Sequence, residues 1–314
     1  MALDSLSADP IATWPGLLRV SDAERPSPAT GRPLPPLHRM RVHDRVVQRI
    51  RHFLEIEGFV EIPRAVPALS EQTGPFFLEA LVARGMDAVY REAKSRHGNG
   101  EGEGHDLAER IEIEKRDLGL DDLCGLQERL LKDVALHLSA EEIGGIHVTR
   151  LDWMARWEHP RVTYREAVAL LRRHGFVLEF GDDLEQEAQA ALVRYCGNLP
   201  VHVTHFPASA KPFHTKLDRR DPMLVESADY MLPHAGRTFG GLVKESEVAH
   251  VRQRLPHQGL EPVVEKYLAL LSDAPVRRGG FSLEVTRLLQ FVMGVGSIED
   301  AIVLPADAGC GGIE

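Results

Sequence analysis

Only three cysteines occur in 314 residues, and Cys124, Cys196 and Cys310 are too scattered to form a Cys-x-x-Cys pair. Their number is odd, so neither a disulfide framework nor a zinc site is supported, and a reducing compartment fits best. Long apolar runs are missing as well. No stretch approaches the ~20 apolar residues needed to span a bilayer, and the N-terminus has no basic segment followed by an apolar core. A soluble, cytosolic chain without a membrane role is expected. Positive charge is not in excess: 37 Lys and Arg stand against 47 Asp and Glu, a net charge of −10. That balance argues against binding nucleic acid by charge alone and leaves room only for a local basic groove. Walker, Rossmann, nucleophile-elbow and His-Glu-x-x-His motifs are all lacking, which leaves hydrolase and dehydrogenase readings without support. The 15 histidines are scattered, and His105 with Glu109 is the best local pair.

What is present is enough apolar residue, 43%, to bury one large core or two smaller ones. Residues 1–38 carry seven prolines from Pro10 to Pro36 and no periodicity, so they are expected to form an arm, with one domain over 39–314. From Arg41, Val46, Val47, Ile50, Phe53, Leu54 and Ile56 fall on one helical face; Gly58 ends the helix and Phe59–Ile62 reads as a strand before Pro63. Further helices are expected over 121–138, 163–173 with a Thr163/Glu166 capping box, 184–195, 246–255 and 261–272, and from Glu284. Residues 111–114, 144–151, 200–205, 224–232 and 238–243 read as strands. Strands that come in close succession as well as separated by helices favour an α+β fold with a mixed, mainly antiparallel sheet.

The order of late motifs is informative. Pro200-Val-His-Val-Thr-His-Phe-Pro207 leads through Lys211-Pro-Phe-His214 and Glu226-Ser-Ala-Asp229 to Gly240-Gly241, Lys244 and Gly279-Gly-Phe-Ser-Leu-Glu-Val-Thr-Arg287. This order resembles the catalytic core of class II aminoacyl-tRNA synthetases of the aspartyl/asparaginyl branch. In layout it is closest to the archaeal asparagine synthetase-related proteins that lack an anticodon-binding domain.

The resemblance implies a class II sheet flanked by helices, ATP with magnesium as cofactors, and a homodimer through the helix–Gly–strand–Pro segment 41–63. It places Arg287 at the motif 3 arginine that contacts the terminal phosphate of ATP; otherwise Arg287 is an ordinary helix-face arginine. The Gly-x-Gly preceding that arginine in the family is Ser282-Leu-Glu284 here, which removes glycines that let adenine lie against the backbone. Glu226 falls among the cofactor-binding positions, and Asp229 after it matches an aspartate that helps hold magnesium, or is a solvated strand residue. The family's glutamate eight residues later is Arg237, which cannot ligate a metal but can face a phosphate. Gly240-Gly241 matches the floor of the amino-acid pocket, and Lys244 stands for an arginine that binds the substrate's side-chain carboxylate; a surface lysine beside a bulge is the alternative. Lys211 falls among the substrate-binding positions, as does Glu71 in Ser70-Glu-Gln-Thr-Gly74, a stretch matching either of two substrate loops. Motif 2 resembles Val89-Tyr90 through His105-Asp-Leu-Ala-Glu109, with Glu109 at the nucleotide and the α-phosphate group supplied by Arg91, Arg96 or His97.

An ATP-dependent, AMP-forming ligase is the expected activity. It would activate a small aspartate-like carboxylate as its adenylate and pass it to ammonia or an amine. With 38 residues before the core there is no room for an N-terminal OB-fold barrel of about a hundred residues, so tRNA is disfavoured as a partner and tRNA charging as the reaction. A catalytically reduced relative that binds an amino acid, protein or RNA is the alternative.

Overall fold

The structure of the chain, a computed structural model, describes residues 32–63, 76–96, 107–255 and 262–303. Helix α1 (Pro36–Ile56) precedes β1 (Val60–Glu61), α2 (Phe77–Ala83), β2 (Ala88–Arg96) and β3 (Leu107–Arg116). After these come α3 (Leu120–Leu136), α4 (Ala140–Ile143), α5 (Gly145–Ala155), β4 (Arg161–Thr163), α6 (Tyr164–Arg173), α7 (Gln186–Tyr195) and β5 (Val201–Thr204). The last third holds β6 (Ser227–Leu232), β7 (Gly236–Lys244), α8 (Val248–Gln253), α9 (Pro262–Asp273), β8 (Arg278–Glu284) and α10 (Val285–Met293).

Among the described residues eight strands form one sheet in the order β1-β2-β3-β8-β7-β6-β5-β4. The pairs β1/β2 and β4/β5 are parallel and the other neighbours antiparallel, so the expected α+β class with a mixed, mainly antiparallel sheet holds. The last strand enters the middle of the sheet, between β3 and β7, and brings residues 110–116, 236–244 and 278–284 side by side.

Side chains alternate across a strand, and this parity separates the two sheet faces. Ile111, Ile113, Ala228, Tyr230, Phe239, Phe281 and Leu283 pack with α1, α3 and α10 in the main core. Arg110, Glu112, Glu114, Asp229, Gly240, Leu242, Lys244, Gly280, Ser282 and Glu284 alternate with them and face the other way, where they line cavities. A second core joins α6 and α7 to β4 and β5. The parity of β7 changes at one point: Tyr230 pairs with Phe239 but Met231 with Arg237, so Thr238 is an extra residue in a β-bulge.

Two expectations are corrected. Helix α1 starts at Pro36, five residues before Arg41, because proline suits the first helical turn, where its missing N–H costs nothing; its buried residues include Val46, Val47, Ile50, Phe53 and Leu54, while Ile56 is exposed. Residues 144–151 are helical, not a strand. The Ser139/Glu142 capping box starts a helical turn, Gly144 at φ 90° redirects the chain, and Val148, Leu151 and Met154 then face the core at helical spacing. Among the described residues no helix is long and apolar enough to cross a membrane.

Candidate active site

The polar face of β3, β8, β7 and β6 floors a cavity with two lobes. The inner lobe, about 330 Å³, is walled by Phe76, Glu79, Glu114, His214 and Lys244 over Gly280. The outer lobe, about 280 Å³, is walled by Lys211, Asp229, Arg237 and Glu284. Arg110, Gly240, Leu242 and Ser282 belong to both. Glycine shapes the inner floor by close approach, since a Cβ at Gly280 would overlap Ile113 O and the Glu114 carboxylate.

Charge in the inner lobe is dense and compensated. Lys244 Nζ donates to Glu79 Oε1 at 2.9 Å and lies 3.3 Å from His214 Nε2. An ammonium only donates, so Nε2 accepts and the ring proton sits on Nδ1, which has no hydrogen-bond partner among the described residues. Burial, then the charges of Lys244, Arg278 and Arg254, hold the His214 pKa well below the ordinary histidine value, so the ring is neutral. For Lys244, burial opposes the charged form, but Glu79 and Glu114 outweigh it and the pKa is raised. Burial pushes the Glu114 carboxyl up to about 7, against the lowering pull of Lys244 and with a further push from Glu79. Beneath them Arg278, its side chain fully buried, donates to Tyr267 Oη at 3.0 Å and lies 3.5 Å from Glu114 Oε1.

The outer lobe is more open and carries surplus positive charge. Both Asp229 oxygens accept from Lys211 Nζ, at 2.8 and 2.9 Å, and Arg237 Nη1 stands 3.6 Å from Oδ2. Arg110 and Glu284 are cross-strand partners and form an ion pair at 2.6 Å, on the stretch where the resemblance puts glycine against adenine. Arg287 lies in the first turn of α10, an electrostatically unfavourable place for a cation, and donates from Nη1 to Ala235 O at 2.6 Å. Burial lowers its pKa; Glu284 raises it and Arg237 lowers it further, so all three groups share one field.

The expected site residues separate accordingly. Arg237, Asp229, Lys211, Gly240 and Lys244 line the cavity, whereas Arg287 lines neither lobe and reaches it only through the field it shares with Arg237 and Glu284. Gly241 does not: strand parity turns it to the opposite face, where a Cβ would lie 2.6 Å from Leu123 Cδ2, so its absence of side chain serves helix packing. Glu109 lines neither lobe and pairs with His43 of α1 at 2.6 Å. Glu226, just before β6, is likewise outside both lobes, paired with Lys216 at 2.6 Å. Arg91 pairs with Glu112, which lines the inner lobe, at 2.7 Å. Arg96 ends β2, and His97 and Glu71 lie outside the described residues.

Asp229 does not fit the expected magnesium ligand. Magnesium takes a near-octahedral set of oxygens at about 2.1 Å, whereas this carboxylate is already shared by two cations. Residues with no expected role but a place in the site are Glu79, Glu114, His214, Arg278 and Arg110. A signal existed for two of them: Glu79 is an acid inside the apolar run Phe76–Val82, and Glu114 continues the alternating face of Glu112.

The model of the family described as tRNA synthetases class II (D, K and N) matches residues 68–308. Human asparaginyl-tRNA synthetase is 30% identical over 274 residues, covering 80% of this chain and 57% of its own length. The mouse protein of the same name is 32% identical over 201 residues, covering 59% and 42%. The chain thus spans about half the length of these relatives. Among solved structures, asparaginyl-tRNA synthetase from Pyrococcus horikoshii complexed with asparaginyl-adenylate shares the fold, with a TM-score of 0.74 at 24% identity over 85% of this chain and 68% of that one. These relatives overturn two expectations drawn from the short N-terminal segment, that tRNA charging is not the reaction and that tRNA is a disfavoured partner: proteins matching most of the chain are themselves named tRNA synthetases.

Proposed function

Because the chain belongs to the class II tRNA synthetases of the D, K and N group, we propose that its cavity activates an asparagine-like amino acid with ATP and serves the charging of a tRNA. In the first step a carboxylate oxygen of the amino acid attacks the α-phosphorus of ATP. The bond from that phosphorus to the bridging oxygen breaks, and pyrophosphate leaves with the electron pair. The enzyme's contribution is to align the two anions and neutralise the charge that builds on the leaving group.

The observation that carries this reading is the contrast of the two lobes across the shared Gly240 floor. The inner lobe offers a donor and an acceptor side by side, Lys244 Nζ and Glu79 Oε1. A side-chain amide satisfies both, its oxygen accepting from Lys244 and its N–H donating to Glu79. A second carboxylate would meet Glu79 as a like charge. The outer lobe supplies cations for the phosphates, Lys211, Arg237 and Arg110, and Arg287 is near enough to feel the charge of Arg237.

Pyrophosphate exchange into ATP tests the proposal, with asparagine and aspartate compared, with and without magnesium. Exchange with asparagine is expected to exceed that with aspartate by about tenfold or more, the size of one well-placed polar discrimination. Arg287→Ala should abolish it. No exchange with either amino acid overturns the proposal, and an unchanged rate in Arg287→Ala assigns that arginine to holding Ala235 alone.

A further inference from the structure

We propose that the outer lobe binds the polyphosphate of its nucleotide without a divalent cation, Lys211 and Arg237 taking the place that metal-held charge would fill. The inference rests on the nucleotide reading above. Asp229 is the carboxylate that the resemblance marks for magnesium, and its side chain is only 3% exposed. Both of its oxygens are engaged by Lys211, whose Nζ also stands 4.0 Å over the Phe206 ring, so the ammonium is fixed from two sides. The second carboxylate expected at the same site is instead Arg237, on the outer-lobe side of Asp229.

A divalent ion here would have to displace one cation and sit beside another. It would also find few ligands, because no group of three or more His, Cys, Asp or Glu among the described residues could hold a metal. The two side-chain cations already stand where a phosphate can reach them. Arg237 is about half exposed, and Lys211 lines the same lobe. Arg110 lines the lobe as well, and Asp229 and Glu284 are the carboxylates among its described lining residues, so three cations face two carboxylates there. Arg237 is loosely held at 3.6 Å and is the group free to turn from Asp229 to a phosphate oxygen.

Calorimetric titration of the full chain with ATP, and separately with inorganic pyrophosphate, tests this in the presence of either magnesium or EDTA. Both probes should bind as tightly in EDTA as in magnesium, or more tightly. Arg237→Glu should weaken binding in EDTA by about tenfold or more, while added magnesium restores it, because the variant recreates a carboxylate pair. Binding by the unmodified chain only when magnesium is present overturns the inference and leaves the ligase proposal standing. Pyrophosphate bound in EDTA without any binding of ATP overturns the nucleotide reading and, with it, the inference. Failure of both probes under both conditions overturns both. The comparison of EDTA with magnesium uses the unmodified chain, so its outcome does not depend on how the variant folds.

Discussion

The two lobes lie on one sheet face and draw on the same strands, yet they solve opposite electrostatic problems. In the inner lobe and just beneath it, Lys244, Glu79, Glu114 and Arg278 are all nearly or fully buried, and each has an opposite charge within reach. In the outer lobe the Arg237 side chain is 51% exposed and cations outnumber carboxylates. Buried charges are held in place by the cost of unpairing them, so the inner lobe presents fixed geometry to a small polar group. Half-exposed charges keep their freedom to rearrange, so the outer lobe can accept a large anion whose own charge completes it. Selection and capture are thereby assigned to different ends of one floor.

The largest expected break in this contrast is Lys244→Met. It leaves Glu79 buried without its cation, and urea unfolding should show a loss of about 3–5 kcal/mol. Lys244→Met combined with Glu79→Leu should recover most of that loss, because an apolar pair replaces an ion pair. A single-variant cost near zero would mean that the inner charges are not locked.

Next in size is a pH effect from Glu114. Its carboxyl is raised from 4.5 to about 7 in the folded chain. Between those values the folded state keeps a proton that the unfolded state has lost. The stabilisation from this group is therefore complete below the unfolded value, declines as pH rises toward 7, and is gone above it, by up to about 3 kcal/mol. Stability measured from pH 4.5 to 8 should lose that decline in Glu114→Gln. Smallest is Arg237→Ala at the outer lobe, where an exposed ion pair contributes little. Thermal unfolding should place it within about 0.5 kcal/mol of the parent, although it lines the proposed site just as Lys244 does.

Local signals read well where local physics decides. The Thr163/Glu166 capping box forms as the spacing demands, with Thr163 N donating to Glu166 Oε2 at 2.7 Å. The apolar stripe of α1, apart from Ile56, and the elements from β6 to α9 also follow their periodicity, whereas β8 is not among the strands read from alternation. Residues 144–151 mislead because Ile146 and Val148 alternate as in a strand, while Val148 is also followed by Leu151 and Met154 at helical spacing, and it is that second pattern that packs. In the site, Asp229, Arg237, Lys244 and Arg287 are legible from motif order. Glu79, Glu114, Arg278 and Arg110 are not, because they meet only when β8 inserts between β3 and β7, a pairing that joins residues 110–116 to 278–284. Gly241 looks equivalent to Gly240 in the sequence and is separated from it by strand parity alone.

Thr238, the extra residue of β7, acts as a phase shifter. Beyond it the even-numbered Gly240, Leu242 and Lys244 face the cavity; before it the odd-numbered Arg237 does. In a regular strand Thr238 would oppose Met231, and Arg237 would oppose Leu232 on the apolar face, with its guanidinium driven into the main core. A single inserted residue thus uncouples the two ends of the floor. The charge at the outer end can be exchanged, carboxylate for guanidinium, while the frame that presents the inner end stays in step.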